Sequence, residues 1–321
     1  MLSVNAMPVQ SAPRVYVFLS CLCSFALLSA CGAPTHPGTP PQIVSPDNPP
    51  LPAKVGAVKF AVIGDSGRWS QEQVEVARQV AAARARFPFD FVIMLGDNNY
   101  GDGSPESFKV RFEDPFQPLL DARVPFYAAL GNHDEEIGEQ WKYPLFNMGG
   151  HRYLTFEKKA GLLPAVGGTS VRFFVVNTNN LDAGQIKWLA RETASSQADW
   201  KIAYAHHPLY STGRYALTTG MRRRALEPIY VNNGIDVVFS GHEHFYQRLV
   251  PQNGVVYFVA GASGSVRSGE MKQSGLVARG YDKDLSFMLI EISGDTLYFQ
   301  TLNRIGETVD SGHITKKRGH R

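Results

Sequence analysis

Residues 58–65 read Val-Lys-Phe-Ala-Val-Ile-Gly-Asp, an apolar run of strand length that ends in a glycine and a carboxylate. Four later stretches repeat this plan and end in potential metal ligands: 89–97, 124–133, 200–206 and 235–244. In a layered α/β fold the carboxyl ends of buried strands face a common crevice. We therefore expect carboxylates, an amide and imidazoles to converge there, as in a hydrolytic centre for divalent or Fe, Zn or Mn ions.

The order of the elements predicts the fold class. Apolar residues recur at helical spacing in three segments: 71–87, 183–195 and 219–232. These helices alternate with the strand runs, which is typical of an α/β protein whose helices cover a sheet. The last third has strand runs without helices between them: 254–260, 286–292 and 296–302. Such a meander indicates a second, more antiparallel sheet. We predict a four-layer α-β-β-α sandwich of two mixed sheets flanked by helices, in one domain over residues 57–315.

The amino-terminal residues are predicted to be a targeting signal. Arg14 precedes the apolar stretch 15–28, which is too short for a spanning helix but has the length of a secretory h-region. The stretch ends in Leu-Ser-Ala-Cys at residues 28–31, which resembles a bacterial lipobox. We predict a signal peptide over residues 1–30 and a lipid on Cys31, with an ordinary cleaved secretory signal as the alternative. The expected location is the bacterial cell envelope, at the outer membrane facing the periplasm.

Composition adds little about partners. Residues 31–56 are rich in proline and are predicted to form an extended spacer between the lipid and the domain. The net charge of +3 is small and the basic residues are scattered, apart from an arginine triplet at 222–224 and the basic tail 316–321. We therefore expect no nucleic-acid partner. The sequence leaves the oligomeric state open.

The strand ends supply a set of oxygen and nitrogen donors. A binuclear site needs a bridging carboxylate, terminal oxygen and nitrogen ligands and an open position. The candidates are Asp65, Asp97 with Tyr100 three residues later, Asn132 beside His133, His206, and His242 with His244. Two further residues, His207 and Glu243, neighbour these ligands. We expect His207 to point elsewhere and to have a packing or supporting role rather than to bind metal, and Glu243 to face away.

The motifs in this order, Gly-Asp-Ser-Gly, Gly-Asp-x-x-Tyr, Gly-Asn-His-Asp, Ala-x-x-His and Gly-His-x-His, resemble those of calcineurin-like metallophosphoesterases. Within that superfamily the chain is similar to purple acid phosphatases of the tartrate-resistant type over residues 57–305, because Tyr100 supplies the phenol of the purple branch. The resemblance implies Fe(III) at four residues: Asp65, Asp97, Tyr100 and His244. It implies a divalent Fe, Zn or Mn ion at a second set that shares one residue: Asp97, Asn132, His206 and His242.

The resemblance also implies an activity. A phosphatase of this type hydrolyses small phosphate monoesters by attack of a hydroxide that the two metals generate, and here it is expected to act outside the cytoplasm. His133 is the candidate to bind phosphate and protonate the leaving group, and Asp97 is the bridging residue. Tyr215 occupies the position of a pocket histidine in the tartrate-resistant enzymes, and Arg214 could bind phosphate oxygens. The alternatives are a phosphodiesterase of the same superfamily and a catalytically silent phosphate-binding lipoprotein.

Overall fold

The structure is a computed structural model that describes residues 42–44, 51–161 and 168–316. The predicted signal peptide, the predicted lipid site at Cys31 and the basic residues 317–321 lie outside the described residues. Among the helices that are described, none combines the length and the apolar character that crossing a membrane requires.

Two mixed sheets lie at the centre of the described part and confirm the predicted sandwich. The first sheet has seven strands in the order β1 (Gln42–Val44), β14 (Thr308–Thr315), β13 (Thr296–Asn303), β12 (Ser286–Ser293), β2 (Val58–Ile63), β3 (Phe91–Met94) and β4 (Phe126–Ala128). The second also has seven, in the order β11 (Val277–Tyr281), β9 (Tyr246–Leu249), β10 (Val256–Ala260), β8 (Val237–Ser240), β7 (Trp200–Ala205), β6 (Thr169–Val176) and β5 (Leu154–Ala160).

The helices of the described part flank these sheets. They are α1 (Gln71–Arg86), α2 (Pro105–Phe108), α3 (Asp114–Asp121), α4 (Asn132–Glu136), α5 (Ala183–Ser195) and α6 (Thr219–Asn232). A π-helical turn, Lys109–Glu113, joins α2 to α3. The three predicted helices are confirmed: α5 and α6 have the predicted bounds, and α1 ends one residue earlier. Side chains of Ser70 and Asp182 cap α1 and α5 by accepting backbone N–H bonds, which explains why these helices begin where they do.

The strands of the last third do not form a sheet of their own, so that part of the prediction is wrong. Strand β12 pairs antiparallel with β2 in the middle of the first sheet. Strand β10 instead lies in the second sheet, parallel to β8. The alternation of apolar residues along a strand reports which face is buried, but it does not identify the neighbouring strand. Long-range packing therefore decided the distribution of these strands.

Part of the predicted spacer is docked on the first sheet. Strand β1 pairs antiparallel with residues 313–315 of β14 and so covers that strand. The backbone N–H of Lys54 donates to the Glu291 carboxylate over 2.7 Å, and Leu51 packs against the core. These positions of the predicted extended spacer are therefore in contact with the domain. A physical reason is that an uncovered edge strand exposes unpaired backbone groups, which a neighbouring segment can satisfy.

Aromatic side chains between the two sheets hold them together. The rings of Phe60 and Phe91, on neighbouring strands of the first sheet, stack with centroids 5.1 Å apart. Phe173 of the second sheet meets both rings edge-on, at 5.3 and 5.6 Å. Such rings contribute both buried apolar area and a preferred geometry. The packing fixes the sheets face to face, which places their strand ends beside one another.

Candidate metal centre

The predicted ligands lie at the carboxyl ends of parallel strands from both sheets. Strands β2, β3 and β4 are parallel in the first sheet, and β7 and β8 are parallel in the second. Asp65 and Asp97 follow the first two of these strands, while Asn132 opens α4 after β4. His206 follows β7 directly, and His242 follows β8 after one glycine. The two sheets thus contribute oxygen and nitrogen donors, respectively, to one crevice.

Three of these residues have a backbone conformation that is unusual for a side chain with a Cβ. The φ angles are +55° at Asp65, +52° at Asp97 and +68° at His242. Left-handed residues other than glycine cost of order 1–3 kcal/mol and persist only where surrounding contacts enforce them. One such contact is the bond from the His242 N–H to the Asp65 carboxylate, at 2.9 Å. Three of the eight left-handed non-glycine residues of the described part are thus candidate ligands in one crevice, which supports a functional role for it.

Four donors form a first group around His206. Its Nε2 atom lies 3.1 Å from Asn132 Oδ1, 3.1 Å from His242 Nδ1 and 3.5 Å from Asp97 Oδ2. Its Nδ1 atom lies 2.9 Å from the carbonyl oxygen of Leu95, which can only accept, so Nδ1 carries the proton and Nε2 a lone pair. In the neutral ring, this Nε2 and the Asn132 oxygen are two acceptors that face each other at hydrogen-bond distance.

A cation explains this arrangement. Nitrogen and oxygen ligands about 2.1 Å from an octahedral ion lie about 3 Å from one another. The separations within the first group are of this size. A His ligand whose other nitrogen is bonded to a carbonyl is also the usual arrangement at metal sites. The residues of the first group therefore fit a metal ion.

Three donors form a second group. The Tyr100 hydroxyl lies 3.4 Å from Asp65 Oδ1 and 3.4 Å from His244 Nε2, and the last two atoms lie 3.3 Å apart. The Nδ1 atom of His244 lies 2.6 Å from the Ser265 hydroxyl, which holds the ring with Nε2 toward the group. Three donor atoms at nearly equal separations fit one face of a coordination shell. The second group therefore also fits a metal ion.

Asp97 lies between the two groups. Donor atoms of Asp65, Asp97 and His206 all lie within 4.8 Å of one another, although Asp65 belongs to the second group and His206 to the first. The backbone N–H of His133 donates to Asp97 Oδ1 over 3.0 Å. A Cβ atom on Gly131 would lie 2.1 Å from this same oxygen, so only glycine leaves room for the carboxylate. A carboxylate in this position is close enough to both groups to be shared by two metal ions.

Burial controls the protonation of the ligand cluster. It raises the pKa of Asp65 to about 7, and it lowers the pKa of His242 to about 2 and of His244 to about 3. Burial also raises the pKa of Tyr100 far above its usual value, with the Asp65 and Asp97 charges adding to this. The imidazoles of His242 and His244 are consequently neutral and keep their lone pairs. A bound cation would favour the ionised forms of the carboxylates and the phenol.

The structure brings two of the three predicted substrate-binding residues to the cluster. The half-exposed His133 ring lies 4.5 Å from the Tyr100 ring, and its Nδ1 atom lies 3.2 Å from the Glu136 carboxylate. The Tyr215 ring packs 4.1 Å from that of His242. The Arg214 guanidinium is instead paired with Glu270 at 2.6 Å, so its role in phosphate binding remains a prediction without a contact to the cluster.

His207 and Glu243, which neighbour the candidate ligands in sequence, differ in the direction of their side chains. The side chain of His207 faces the cluster instead of pointing elsewhere, but it has the packing role expected of it: its ring lies 4.3 Å from that of His242, and its Nδ1 atom contacts the Thr178 hydroxyl at 3.0 Å. Strand β7 ends at residue 205, so successive side chains no longer alternate between opposite faces. Glu243 does point away, because its carboxylate accepts bonds from the Ser211 hydroxyl and the Tyr215 N–H.

Two residues of the site were missed by sequence reasoning. Asp134, fully buried, accepts from the backbone N–H groups of Asn98, Asn99 and Gly131 and so joins the loops that carry Asp97 and Asn132. Its place inside the Gly-Asn-His-Asp motif was a usable signal. Ser265, which orients His244, gave none, because it lies 21 residues from its partner in an unremarkable serine-glycine stretch.

Comparison with known proteins agrees with this geometry. Residues 58–246 match the family described as calcineurin-like phosphoesterase. Purple acid phosphatase 17 of Arabidopsis thaliana is 30% identical over 244 residues, which cover 67% of this chain and 70% of that protein. Tartrate-resistant acid phosphatase type 5 of Rattus norvegicus is 24% identical over 307 residues, which cover 78% and 92% of the two chains.

A solved structure shows the same fold. Purple acid phosphatase PPD1 from seeds of yellow lupin, Lupinus luteus, aligns with a TM-score of 0.67 at 19% sequence identity. The alignment covers 83% of this chain and 55% of the lupin chain. The fold described above is therefore shared with that protein.

Proposed function

Because the chain belongs to the calcineurin-like phosphoesterase family, in its purple acid phosphatase branch, we propose that the ligand cluster is the binuclear centre of a phosphomonoesterase. The protein is a metal-dependent phosphatase, as its relatives are. The observation that carries the proposal for this site is the pair of donor groups, each at ligand spacing, with Asp97 between them. No cysteine lies in the described residues, so the donors are oxygen and nitrogen throughout, as hydrolytic metals prefer.

The donor chemistry suggests which ion each group takes. The second group, with the phenol of Tyr100, fits a trivalent ion such as Fe(III), which favours charged oxygen ligands. The first group, with one amide and two imidazoles beside Asp97, fits a divalent Fe, Zn or Mn ion. Bound together, such ions would lower the pKa of a water molecule and stabilise negative charge on the phosphoryl oxygens.

The protein side chains position the reactants and move the leaving-group proton. His133 stands at the rim of the cluster, with its backbone tied to Asp97 and its Nδ1 atom beside Glu136. This contact leaves Nε2 as the nitrogen that can reach substrate. We assign His133 the transfer of a proton to the departing alkoxide, which general acids accelerate by about 10²–10⁴-fold. Tyr215, packed on His242, borders the same space.

Hydrolysis of matched aryl phosphate esters tests the proposal. The purified domain is loaded with iron and zinc and offered a monoester and a diester. Asn132→Ala removes a ligand of the first group, and Asn180→Ala, an exposed amide outside the cluster, is the matched control. We expect monoester turnover that Asn132→Ala abolishes and Asn180→Ala retains. Turnover of the diester alone would establish the phosphodiesterase alternative, and no turnover with both metals bound would contradict the proposal.

The cellular location is a separate proposal that rests on the sequence. An apolar segment followed by Leu-Ser-Ala-Cys at residues 28–31 supports a lipid anchor on Cys31 in a bacterial envelope, with small phosphate esters met outside the cytoplasm. Expression of the full chain in bacteria, followed by membrane fractionation, tests it. We expect the wild-type protein in the outer-membrane fraction, in lipidated form. The Cys31→Ala variant should carry no lipid and should be absent from the membrane fractions. Equal distribution of both proteins would contradict the anchor.

A further inference from the structure

Arg267 places a positive charge beside the ligand cluster. Its backbone N–H donates to the carbonyl oxygen of His244 over 2.9 Å, and its Nη1 atom lies 3.5 Å from the carbonyl oxygen of His242. The guanidinium carbon lies 5.6 Å from the centroid of the Tyr215 ring, which itself packs on the His242 ring. The side chain is thus held at the His242 side of the cluster by a carbonyl and an aromatic face, neither of which neutralises its charge.

Arg267 differs in its surroundings from two ion-paired arginines, Arg214 and Arg248, and resembles Arg222, which bonds the carbonyl oxygen of Thr178 at 3.0 Å. Arg214 is paired with Glu270 at 2.6 Å, and the buried Arg248 is paired with Asp310 at 2.8 Å. Within residues 51–161 and 168–316, no carboxylate lies within the 4.0 Å of an ion pair with Arg267, and the charges of Asp65 and Glu243 act on it only from farther away. Arg267 is also partly buried, unlike the solvated arginines of the surface. A partly buried guanidinium without an anion is costly, and an anionic ligand relieves that cost.

We propose that Arg267 binds phosphoryl oxygens of the substrate at the His242 side of the site. This inference rests on the proposed function and adds a specificity-determining residue to it. A guanidinium presents parallel N–H donors in a planar fork, which matches two oxygens of a phosphate group. The Tyr215 ring limits the movement of this fork, so little freedom is lost when the anion binds. Arg267 therefore strengthens phosphate binding and acts on KM more than on kcat.

The test compares three variants of the metal-loaded protein: Arg267→Gln, Arg267→Lys and the control Arg279→Gln. Arg279 also bonds a carbonyl oxygen, that of Val309 at 2.9 Å, but it is exposed on strand β11 and has no described contact with the cluster. Calorimetry gives the dissociation constant of inorganic phosphate, elemental analysis gives the metal content, and steady-state kinetics give kcat and KM separately.

Loss of Arg267 is expected to weaken phosphate binding about 10–100-fold, the usual effect of removing a charge-assisted hydrogen bond. KM should rise by a similar factor, with unchanged metal content. Arg267→Lys should recover part of the affinity, because it keeps the charge but not the fork. Wild-type phosphate affinity and KM in Arg267→Gln would overturn the inference.

The proposed function can fail independently of this inference. If the wild type turns over no ester, the titration with inorganic phosphate still tests the inference. Weaker phosphate binding by Arg267→Gln than by the wild type supports it. Equal phosphate binding by the two proteins overturns it. If Arg267→Gln loses metal or fold, the Arg267→Lys variant takes its place. The inference then stands only if Arg267→Lys, with full metal content, binds phosphate more weakly than Arg279→Gln.

Discussion

Replacing Asp134 by asparagine changes one buried atom and tests how the site is held together. Four N–H donors point at the Asp134 carboxylate. Its Oδ1 atom accepts from the backbone N–H groups of Asn98 and Asn99 at 2.9 and 3.2 Å. Oδ2 accepts from the Asn98 side-chain amide at 2.9 Å and from the Gly131 N–H at 2.7 Å. Asparagine has one acceptor oxygen, so in either orientation its NH₂ group faces two donors.

The expected cost follows from these bonds. Hydrogen bonds to a charged group contribute about 1.5–3 kcal/mol each, so loss of two corresponds to about 3–6 kcal/mol. That is a large part of the about 5–15 kcal/mol by which domains are stable. Burial and the nearby Asp97 charge raise the pKa of Asp134, so ionising this carboxylate in the folded protein costs free energy. This cost offsets part of the stability that its hydrogen bonds contribute. We therefore expect the loss of stability in Asp134→Asn to lie at the lower end of the range.

Urea unfolding followed by tryptophan fluorescence measures this loss, with elemental analysis of the folded protein alongside it. Because Asp134 joins the loops of Asp97 and Asn132, we also expect metal affinity to fall about 10–100-fold, as for other groups that orient ligands. Asp182→Asn is the control, since asparagine caps a helix as well as aspartate does. The reasoning is refuted if Asp134→Asn matches this control in both urea midpoint and metal content.

Three further substitutions address single contacts of the ligand cluster. Tyr100→Phe should abolish the visible absorption of the iron-loaded protein, because the phenol that could bind Fe(III) is removed; a visible spectrum like that of the wild type would exclude Tyr100 as a ligand. Ser265→Ala should lower metal affinity about 10–100-fold, since His244 Nδ1 loses its partner at 2.6 Å, whereas Ser265→Thr keeps the hydroxyl and should not. Tyr215→His should shift the pH profile or the substrate ranking, because an imidazole titrates near neutral pH and a phenol does not; unchanged profiles and ranking would show that this position does not govern them.

The elements that the sequence predicted best are those whose causes are local. The helices at residues 183–195 and 219–232 were predicted to the residue, because the apolar periodicity that indicates them lies within the segments themselves. The candidate ligands were likewise found without the structure. A strand that ends in a glycine and a ligand-type residue is a local pattern, and the rule that strand ends share a crevice then brings the patterns together.

Sequence periodicity did not decide which strands pair. Strand β12 lies against β2, more than 220 residues away in the chain, because the two apolar faces and backbone edges match, and no local pattern records that match. The docking of β1 on β14 has the same cause. Both outcomes depend on surfaces that exist only once the sheets have assembled.

By itself, the sequence determined the fold class, the helices and the identity of the clustered donors, because residue type and spacing are written along the chain. Only the tertiary structure decided which contacts complete the site. It turned His207 toward His242, paired Arg214 with Glu270 and left Arg267 beside the cluster with no carboxylate of the described residues at ion-pair distance. Side-chain direction and charge pairing depend on neighbours that are distant in sequence, and those neighbours are set by the packing of the two sheets.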